Sequence, residues 1–223
     1  MGQLAVILDM DGVLVDSYGA HFESWRRMAA NHGLEMTEAH FASTFGRTTR
    51  EIIRTLWPEA AADEEVPAWD DEKEALYRAI IQEDFPEMDG AGELIESLAE
   101  AGFALGIGSS GPAKNVAVVR QCLSAGRLIA ATVNGMEVTR GKPDPQVFLK
   151  VAAKLGVEPA RCAVIEDATA GVAAARRAGM AAIGLTGTAD REELAQDAHL
   201  VVDSLRELDP QGIAELIETH AGK

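Results

Sequence analysis

The sequence has few cysteines, little positive charge and no long apolar run. Its two cysteines, Cys122 and Cys162, lie far apart in the 223 residues and lack the spacing of metal ligands. We expect two reduced thiols that pack as small apolar side chains in a cytoplasmic protein. No stretch has the length and hydrophobicity of a membrane span, and no basic segment precedes an apolar one at the N-terminus, so neither a membrane segment nor a signal peptide is predicted.

Positive charge is the second scarcity. Twenty lysines and arginines stand against 36 acidic residues, which gives a formal net charge of −16. Nucleic acids and anionic membrane surfaces bind basic patches, so we expect neither as a partner. A small anionic substrate is still compatible, because a few clustered cations or a bound metal ion can make a single pocket positive. The charge does not decide the oligomeric state, for which we expect a monomer or a weak dimer.

The sequence contains an apolar segment, predicted to be a strand, that is followed directly by two aspartates. Residues 4–8 (LAVIL) have the composition of a strand buried on both faces of a parallel sheet. Asp9 and Asp11 follow at once, ahead of Gly12. Side chains two residues apart along a strand point to the same side, so Asp9 and Asp11 are predicted to share one cavity while Met10 faces away.

The rest of the chain divides into a helical segment and an alternating one. Helical spacing without a convincing strand occupies residues 18–84, whereas helices and strands alternate from Pro86 onward. This alternation predicts an α/β protein with a doubly wound, Rossmann-like parallel sheet. We predict an α/β core of residues 1–15 and 86–223, with a small all-helical domain of residues 16–85 inserted after the first strand. The predicted helices of the insert are 21–33, 37–46, 48–57 and 69–85, and the later strands of the core are 103–108, 131–133, 162–166, 180–185 and 199–203.

Polar residues stand at the ends of several predicted strands. Ligand sites in doubly wound sheets form at the carboxyl ends of the strands, near the point where the strand order reverses. Singly, each group has an ordinary alternative, such as a turn at the first aspartates or a helix cap at the serines. The occurrence of all these polar groups after predicted strands favours a functional site. The candidates are Asp9 and Asp11, Ser109 and Ser110, Lys142, and Glu166 with Asp167.

Several carboxylates at close range predict a metal ion, because they do not all stay ionised without a compensating charge. A hard divalent cation supplies that charge, and a set of oxygen ligands with retained waters suits Mg²⁺. A calcium-binding loop that starts at Asp9 is excluded, since it requires glycine at its sixth position and glutamate at its twelfth. Here Gly12 stands at the fourth position and Ala20 at the twelfth. Lys142 and the Ser109 hydroxyl are predicted to contact an anion that the metal also binds.

Four segments of the sequence are DMDGVLVDS (9–17), GSSG (108–111), GKPDPQVF (141–148) and IEDATAGVAAARRAG (165–179). Together they resemble the four motifs of the haloacid dehalogenase superfamily of phosphotransferases. The resemblance covers essentially the whole chain, and the helical insert resembles the type-1 cap of the family. The subgroup it resembles is that of β-phosphoglucomutase and the related sugar-phosphate phosphatases. This resemblance implies a Mg²⁺-dependent phosphatase that acts on a small phosphorylated metabolite through an aspartyl-phosphate intermediate.

The resemblance assigns catalytic roles to four residues. Asp9 becomes the nucleophile that attacks phosphorus. Asp11 becomes the general acid that protonates the leaving alcohol, and then the base that activates the acceptor. Ser109 and Lys142 hold the phosphoryl oxygens and offset the charge that develops there. The dehalogenase branch lacks the second aspartate, so Asp11 argues against dehalogenation.

The resemblance also implies a metal site and substrate contacts. Mg²⁺ would be bound by the carboxylates of Asp9 and Asp167 and by the backbone carbonyl of Asp11, with Glu166 beside them or acting through water. Two of the implied substrate-binding residues have structural alternatives. His21 could cap a helix, and Lys73 could lie on an ordinary charged helix face. The implied substrate-binding residues are Ser110 in the core and His21, Arg47, Arg50 and Lys73 in the insert.

The subgroup offers two chemistries, and the sequence favours one of them. Where the mutase has a phosphate-gripping arginine, this chain has Thr49 between two arginines. Where the mutase has sugar-contacting serine, lysine and asparagine, this chain has residues 111–113 (GPA). A mutase must hold both ends of a bisphosphate, so these departures favour a phosphatase over a mutase. A non-catalytic binding protein is disfavoured because Asp9 and Lys142 are both present.

Overall fold

The computed structural model describes residues 2–44, 47–60 and 62–220. Residues 45–46, at the end of the second predicted helix, lie outside the described residues. The chain forms two compact units, which we call the α/β unit and the helical unit. The α/β unit comprises Met1–Asp16 and Pro86–Lys223, and the helical unit comprises Ser17–Phe85.

The α/β unit is built on a sheet of six parallel strands. The strands are β1 (Ala5–Leu8), β2 (Ala104–Gly108), β3 (Ala131–Val133), β4 (Cys162–Glu166), β5 (Ala181–Leu185) and β6 (Leu200–Val202). Their order in the sheet is β3-β2-β1-β4-β5-β6, so the chain moves outward from β1 in one direction and then returns to β4 to move outward in the other. The predicted doubly wound, Rossmann-like sheet is confirmed, and its strand order reverses between β1 and β4.

Within the described residues, four helices belong to the helical unit and the later helices belong to the α/β unit. Among the described residues of the helical unit no strand occurs, in keeping with its sequence pattern. The helices are α1 (Tyr18–Asn31), α2 (Glu38–Thr44), α3 (Thr49–Leu56), α4 (Val66–Glu83), α5 (Ala91–Glu100), α6 (Ala113–Cys122), α7 (Gln146–Leu155), α8 (Thr169–Arg177), α9 (Arg191–Leu194) and α10 (Pro210–His220).

The register of the sheet brings three strand ends to one edge. Leu8, the last residue of β1, stands opposite Ile107 of β2 and Ile165 of β4. Helix α7 packs against β1, β2 and β3, and α8 packs against β4 and β5. Phe148 and Val172, on these two helices, are fully buried in the apolar core. Side chains that follow β1, β2 and β4 are therefore delivered to the same edge of a rigid sheet.

The helical unit has a core of its own. Trp25 and Met28 of α1, Phe41 of α2 and Ile53 of α3 are buried in one apolar cluster with α4. Helix α3 begins with a capping box, in which Thr48 and the third helical residue exchange hydrogen bonds. The apolar faces of these helices are therefore buried within the unit.

Helix α4 starts earlier than its sequence pattern predicts. The predicted start was Trp69, after a loop that included Pro67, whereas the helix begins at Val66. Proline is tolerated in the first turn of a helix, because the N–H it lacks would have no partner within the helix. In the described part of the chain no helix, α4 included, is both long and apolar enough to cross a membrane.

Candidate active site

Three acidic side chains meet at the carboxyl ends of β1 and β4. Asp9 directly follows β1, and its N–H donates to the carbonyl oxygen of Ile165 in β4 at 3.0 Å. Glu166 is the last residue of β4, and Asp167 follows it. All three carboxyl groups are buried, and one oxygen from each lies within 4.8 Å of the others. The acidic group therefore occupies the point where the strand order reverses.

Lys142 reaches the acidic group from the loop ahead of α7. Its ammonium donates to Asp9 Oδ1 and to Glu166 Oε1, the latter at 2.6 Å. It also lies 4.9 Å from the centre of the Phe148 ring, close enough for a cation–π contact. The side chains of Lys142 and Asp9 are each only 10% exposed. Removing the lysine would leave two buried carboxylates without a counter-charge, which is strongly destabilising.

Burial and mutual repulsion shift the pKa values of these groups. Desolvation raises the pKa of Asp9 well above its ordinary value, and Lys142 opposes this rise. The pKa of Asp167 is raised to about 7, chiefly by burial and then by the charge of Glu166. Burial alone would lower the pKa of Lys142, but the two carboxylates raise it above its ordinary value. The lysine therefore stays charged, and the acids need a further positive charge to be ionised together.

A tight turn after Asp9 sets the backbone path of Asp11. The carbonyl oxygen of Met10 accepts the N–H of Val15 at 3.2 Å, and the N–H of Gly12 donates to the carbonyl oxygen of Val15 at 2.9 Å. Because β1 ends at Leu8, before Asp9, strand alternation does not set the direction of Asp11, and the shared cavity of Asp9 and Asp11 stays a prediction. The turn, and not the pleat of a strand, governs the direction of Asp11.

Two glycines allow the backbone to approach the carboxylates closely. Gly12 has a φ of +75°, and a Cβ at that position would overlap the carboxylate of Asp167. A Cβ at Gly171, in the first turn of α8, would overlap the carboxylate of Glu166. Glu166 Oε2 accepts the N–H of Ala168 at 2.9 Å. Glycine at these two positions is thus a steric requirement of the acidic group.

Ser109 is fixed at the end of β2, and Ser110 is exposed next to it. The N–H of Ser109 donates to the carbonyl oxygen of Val133 at 3.0 Å, and its Oγ accepts the N–H of Gly111 at 2.9 Å. The alternative of a serine helix cap is wrong, since Pro112 is the N-cap of α6 and no side chain caps that helix. The buried hydroxyl of Ser109 is therefore held by the loop and not by the helix.

The acidic group fits a divalent metal ion in charge and in ligand type. Asp9, Glu166 and Asp167 offer oxygen ligands, and together with the ammonium of Lys142 they leave a net charge of minus two when all are ionised. A hard divalent cation matches both properties. Asp11 is not among the grouped carboxylates, and its predicted part in metal binding, through the backbone carbonyl, stays a prediction.

In the helical unit, His21 and Lys73 are in contact. The ammonium of Lys73, 3% exposed, lies 3.0 Å from His21 Nδ1 and 2.8 Å from Glu74 Oε1. The His21 ring stacks on Tyr77 with a centroid distance of 4.1 Å. Both structural alternatives are wrong. Helix α1 starts three residues before His21 with Ser17 at its N-cap, and Lys73 is buried on α4 where an ordinary charged face would be exposed.

Arg47 and Arg50 are both exposed. Arg47 precedes α3, and its N–H donates to the carbonyl oxygen of Thr44 at 3.1 Å. Arg50 lies in the first turn of α3, with its Nε 3.9 Å from Asp70 Oδ2. Helical spacing therefore does not relate the directions of the two guanidinium groups, because only Arg50 lies in the helix.

A family model of haloacid dehalogenase-like hydrolases matches residues 4–179. The chain belongs to this family. The resemblance of the four sequence motifs is thereby confirmed, and so is the prediction of an enzyme of the haloacid dehalogenase-like phosphatase type. Every residue of the acidic group, together with Lys142 and Ser109, falls inside the matched segment.

Relatives of named activity match most of the chain. Validoxylamine A 7'-phosphate phosphatase of Streptomyces hygroscopicus subsp. limoneus is 34% identical over 88% of this chain and 92% of its own length. β-Phosphoglucomutase of Bacillus subtilis is 32% identical over 81% of this chain and 82% of its own. A solved haloacid dehalogenase hydrolase of family IA, variant 3, from Entamoeba histolytica superposes with a TM-score of 0.84 at 29% identity, covering 97% of this chain and 100% of that chain.

Sequence reasoning missed several residues that contact the candidate residues of each unit. The side chain of Thr188, in the loop after β5, forms a hydrogen bond with Asp167. The signal that found the other candidates, a polar residue after a predicted strand, applies to Thr188 as well. Glu74 and Tyr77, which contact Lys73 and His21, gave no such signal, because their part depends on how α1 packs against α4.

Proposed function

We propose that this protein is a Mg²⁺-dependent phosphatase that releases inorganic phosphate from a small phosphorylated metabolite, a sugar phosphate or a similar compound. The observation that carries the proposal is the buried ion cluster in which Lys142 contacts both Asp9 and Glu166 at the reversal of the strand order. A nucleophilic carboxylate with a fixed cation beside it suits attack on a phosphate ester. Membership of the haloacid dehalogenase-like hydrolase family supports the same reaction class.

Asp9 is the proposed nucleophile of the first half-reaction. One of its carboxylate oxygens forms a bond to phosphorus while the bond between phosphorus and the ester oxygen of the substrate breaks, which leaves an aspartyl phosphate. Asp11 gives its proton to the departing ester oxygen, so the alcohol leaves neutral. Lys142 donates to the phosphoryl oxygens and offsets the charge that develops on them in the transition state.

Water completes the cycle in the second half-reaction. Asp11, now ionised, takes a proton from a water molecule whose oxygen forms a bond to phosphorus. The bond between phosphorus and the Asp9 oxygen breaks, and inorganic phosphate leaves with the Asp9 carboxylate restored. Because Ser109 Oγ accepts the N–H of Gly111, its own O–H is oriented by that bond and is proposed to donate to a phosphoryl oxygen.

The metal site of this proposal uses the acidic group. Asp9 and Asp167 would hold Mg²⁺ with the backbone carbonyl of Asp11, and Glu166 would lie beside them. When bound, the ion supplies positive charge to the phosphoryl oxygens and to the crowded carboxylates. The raised pKa of Asp167, about 7, supports the need for such a charge, since burial opposes its ionisation without one.

The helical unit is proposed to act as a cap domain that supplies substrate specificity. His21 and Lys73 present an imidazole and an ammonium that are already held together, and Arg47 and Arg50 add exposed guanidinium groups, which suit a carboxylate or a second phosphate. In the α/β unit, Ser110 is proposed to contact substrate as well. The name of the validoxylamine A 7'-phosphate phosphatase supports a carbohydrate-like substrate class for the present protein.

A phosphosugar mutase is the second candidate, and two observations favour it. His21 and Lys73 fall where the resemblance places a histidine and a lysine of β-phosphoglucomutase, and the two side chains are in contact. The 32% identity to the Bacillus subtilis mutase points the same way. Against it stand Thr49 at the position of the phosphate-gripping arginine and the GPA segment after the second motif. These departures remove expected contacts to the far end of a bisphosphate, so we favour the phosphatase.

The test is phosphate release across a panel of sugar phosphates and phosphoglycolate, with and without Mg²⁺. A parallel assay follows the isomerisation of β-glucose 1-phosphate with a bisphosphate primer. We expect phosphate release that stops in chelator, returns with Mg²⁺ and is inhibited by Ca²⁺, which prefers more ligands and looser geometry. Isomerisation much faster than phosphate release would overturn the phosphatase. Full activity in chelator, on protein shown to be free of metal, would remove Mg²⁺ from the mechanism.

A further inference from the structure

The loop that carries Lys142 is exposed on both sides of the lysine. Residues 139–145 connect to the start of α7 and contain neither helix nor strand. Thr139, Arg140 and Gly141 are exposed, and so is Pro143, whereas the Lys142 side chain is buried at the acidic group. An exposed segment is ordinarily mobile. The position of the Lys142 ammonium therefore depends on contacts that fix this loop.

One side-chain oxygen binds the beginning of this loop. Gln146 is the first residue of α7, and its Oε1 accepts three hydrogen bonds from the segment before Lys142. The donors are the N–H of Thr139 at 2.6 Å, the Oγ1 of Thr139 at 3.2 Å and the N–H of Arg140 at 3.2 Å. Gln146 closes the loop on itself, because it lies just beyond the loop in sequence and binds its start.

Three further contacts bind the middle and the end of the loop. Arg177, at the end of α8, donates from Nη1 to the carbonyl oxygen of Pro143 at 3.0 Å. The N–H of Asp144 donates to the carbonyl oxygen of Gly141 at 3.0 Å, and Asp144 Oδ1 accepts the N–H of Gln146 at 3.1 Å. The backbone on each side of Lys142 is thus tied to an element of the sheet's helical layer.

We propose that Gln146 is a positioning residue for Lys142 and acts through the acceptor oxygen of its side chain. The inference rests on the proposed role of Lys142 in the phosphatase. Without that acceptor, two backbone N–H groups and a hydroxyl lose their partner, and the loop relaxes toward water. A displacement of the ammonium by about 1 Å is enough to cost a large factor in rate, on the order of 10²-fold.

The requirement for an acceptor makes the proposal specific. Glutamate has the length of glutamine and retains the acceptor oxygens, and a negative charge in the first turn of a helix is favourable. Leucine has a similar size and has no acceptor. A residue that only supports the fold would show changes in kcat that track thermal stability. For a positioning residue, kcat does not follow thermal stability, because glutamate restores kcat and leucine does not.

The experiment compares Gln146→Glu, Gln146→Leu and the matched control Gln211→Leu, which makes the same change near the start of α10, where the side chain bonds only Glu215 among the contacts described. kcat and KM for phosphate release and the melting temperature are measured for each. We expect Gln146→Leu to lower kcat at least tenfold with KM changed less than threefold. Gln146→Glu and Gln211→Leu should each keep kcat within about threefold of wild type.

A second arm separates this inference from the proposed function. Gln146→Leu is introduced into a Lys142→Met background, with radiolabelled substrate and excess enzyme so that very slow release is measured. If Gln146 acts through Lys142, the added substitution lowers the residual rate less than about twofold. An equal loss in both backgrounds would overturn the inference, as would a Gln146→Glu rate as low as that of Gln146→Leu. Wild-type release by Lys142→Met itself would instead overturn the lysine's proposed role, and the inference with it. Should the double variant not fold, the glutamate and leucine rates still decide.

Discussion

Each unit of the chain buries one lysine in an ion cluster, and the two clusters are balanced differently. In the α/β unit, Lys142 contacts two carboxylates, Asp9 and Glu166, that come from neighbouring strands. In the helical unit, Lys73 contacts the imidazole of His21 and the carboxylate of Glu74, its own neighbour in α4. The first lysine joins distant parts of the chain through charge. The second joins α1 to α4 through a hydrogen bond.

Aromatic rings take part of the place of charge around Lys73. Its ammonium lies 5.8 Å from the Trp25 ring centre and 5.5 Å from that of Tyr77, within the range of cation–π attraction. Around Lys142 the excess of carboxylate leaves the cluster negative, which suits a metal ion. Burial of a lysine therefore does not by itself define its role, since the charges of its partners decide whether the cluster suits a metal ion.

The largest expected effect is that of Asp9→Asn, which tests the α/β side of the comparison. An amide is nearly isosteric with the carboxylate but is not nucleophilic, so phosphate release should fall more than about a thousandfold. The melting temperature of the metal-free protein should be unchanged or higher, because a buried acid is removed. Asp197→Asn, at an exposed position of the same unit, is the control and should be silent. A residual rate above a thousandth of wild type would argue against covalent catalysis.

The two lysines can be compared directly by Lys142→Met and Lys73→Met. Each variant is assayed with its best sugar phosphate and with an aryl phosphate that has no sugar. Lys142→Met should lower kcat for both substrates by about 10² or more, because it removes charge from the phosphoryl oxygens. Lys73→Met should raise KM for the sugar phosphate and leave aryl phosphate turnover within about threefold. Equal losses on both substrates in both variants would break the distinction between the clusters.

The α/β side was the more predictable one from the sequence, for a physical reason. Parallel strands end at one edge of a sheet, so Asp9, Ser109 and Asp167 could be placed near one another from strand order alone. The doubly wound sheet followed from the alternation of elements, whereas the position of its switch point, between β1 and β4, is given by the structure. What the pattern could not supply was the direction of Asp11, which depends on a turn, and the hydrogen bond from Thr188.

In the helical unit, the sequence did not predict the start of α4 or the contacts between α1 and α4. Helix positions followed from apolar spacing, but the start of α4 did not, since Pro67 marked a loop by composition and is accommodated in the first helical turn. The burial of Lys73 and the stacking of His21 on Tyr77 depend on the packing of α1 against α4, which spacing within one helix does not fix. In the α/β unit, the short α9 and the C-terminal α10 were not predicted from the sequence.

Stability of metal-free protein should respond to pH oppositely in the two units. The folded-state pKa of Asp167 is raised to about 7 from an ordinary value of 3.8, so its contribution is fully present below about pH 4 and is lost as pH rises toward 7. Asp167→Asn should therefore gain stability relative to wild type over that window, by on the order of 2 kcal/mol, in chemical denaturation with chelator. Mg²⁺ should reverse the difference.

Glu72 of the helical unit is the matched control with the opposite sign. Burial would raise its pKa, but hydrogen bonds from Asn31 and His32 lower it below the ordinary value of 4.5. Its contribution is present above that value and is lost as pH falls through the lowered pKa. Glu72→Gln should therefore approach wild-type stability in acid. A pH dependence of the same sign for both variants would contradict the contrast between a crowded acidic cluster and a hydrogen-bonded surface acid.

The smallest expected effects are those of Arg47→Ala and Arg50→Ala, and they decide what the helical unit does for catalysis. In a phosphatase, loss of a guanidinium that holds the far end of the substrate should raise KM several-fold and leave kcat within about twofold, because that contact is equally strong in the ground and transition states. In a mutase, the same loss should cripple isomerisation and increase hydrolysis of the phosphoenzyme, since the bisphosphate is held less firmly. Arg54→Ala, in the same helix and paired with Asp63 at 3.0 Å, controls for lost surface charge. We expect the phosphatase pattern, measured singly and in the double variant. A fall in isomerisation accompanied by a rise in phosphate release would instead assign the helical unit to bisphosphate retention.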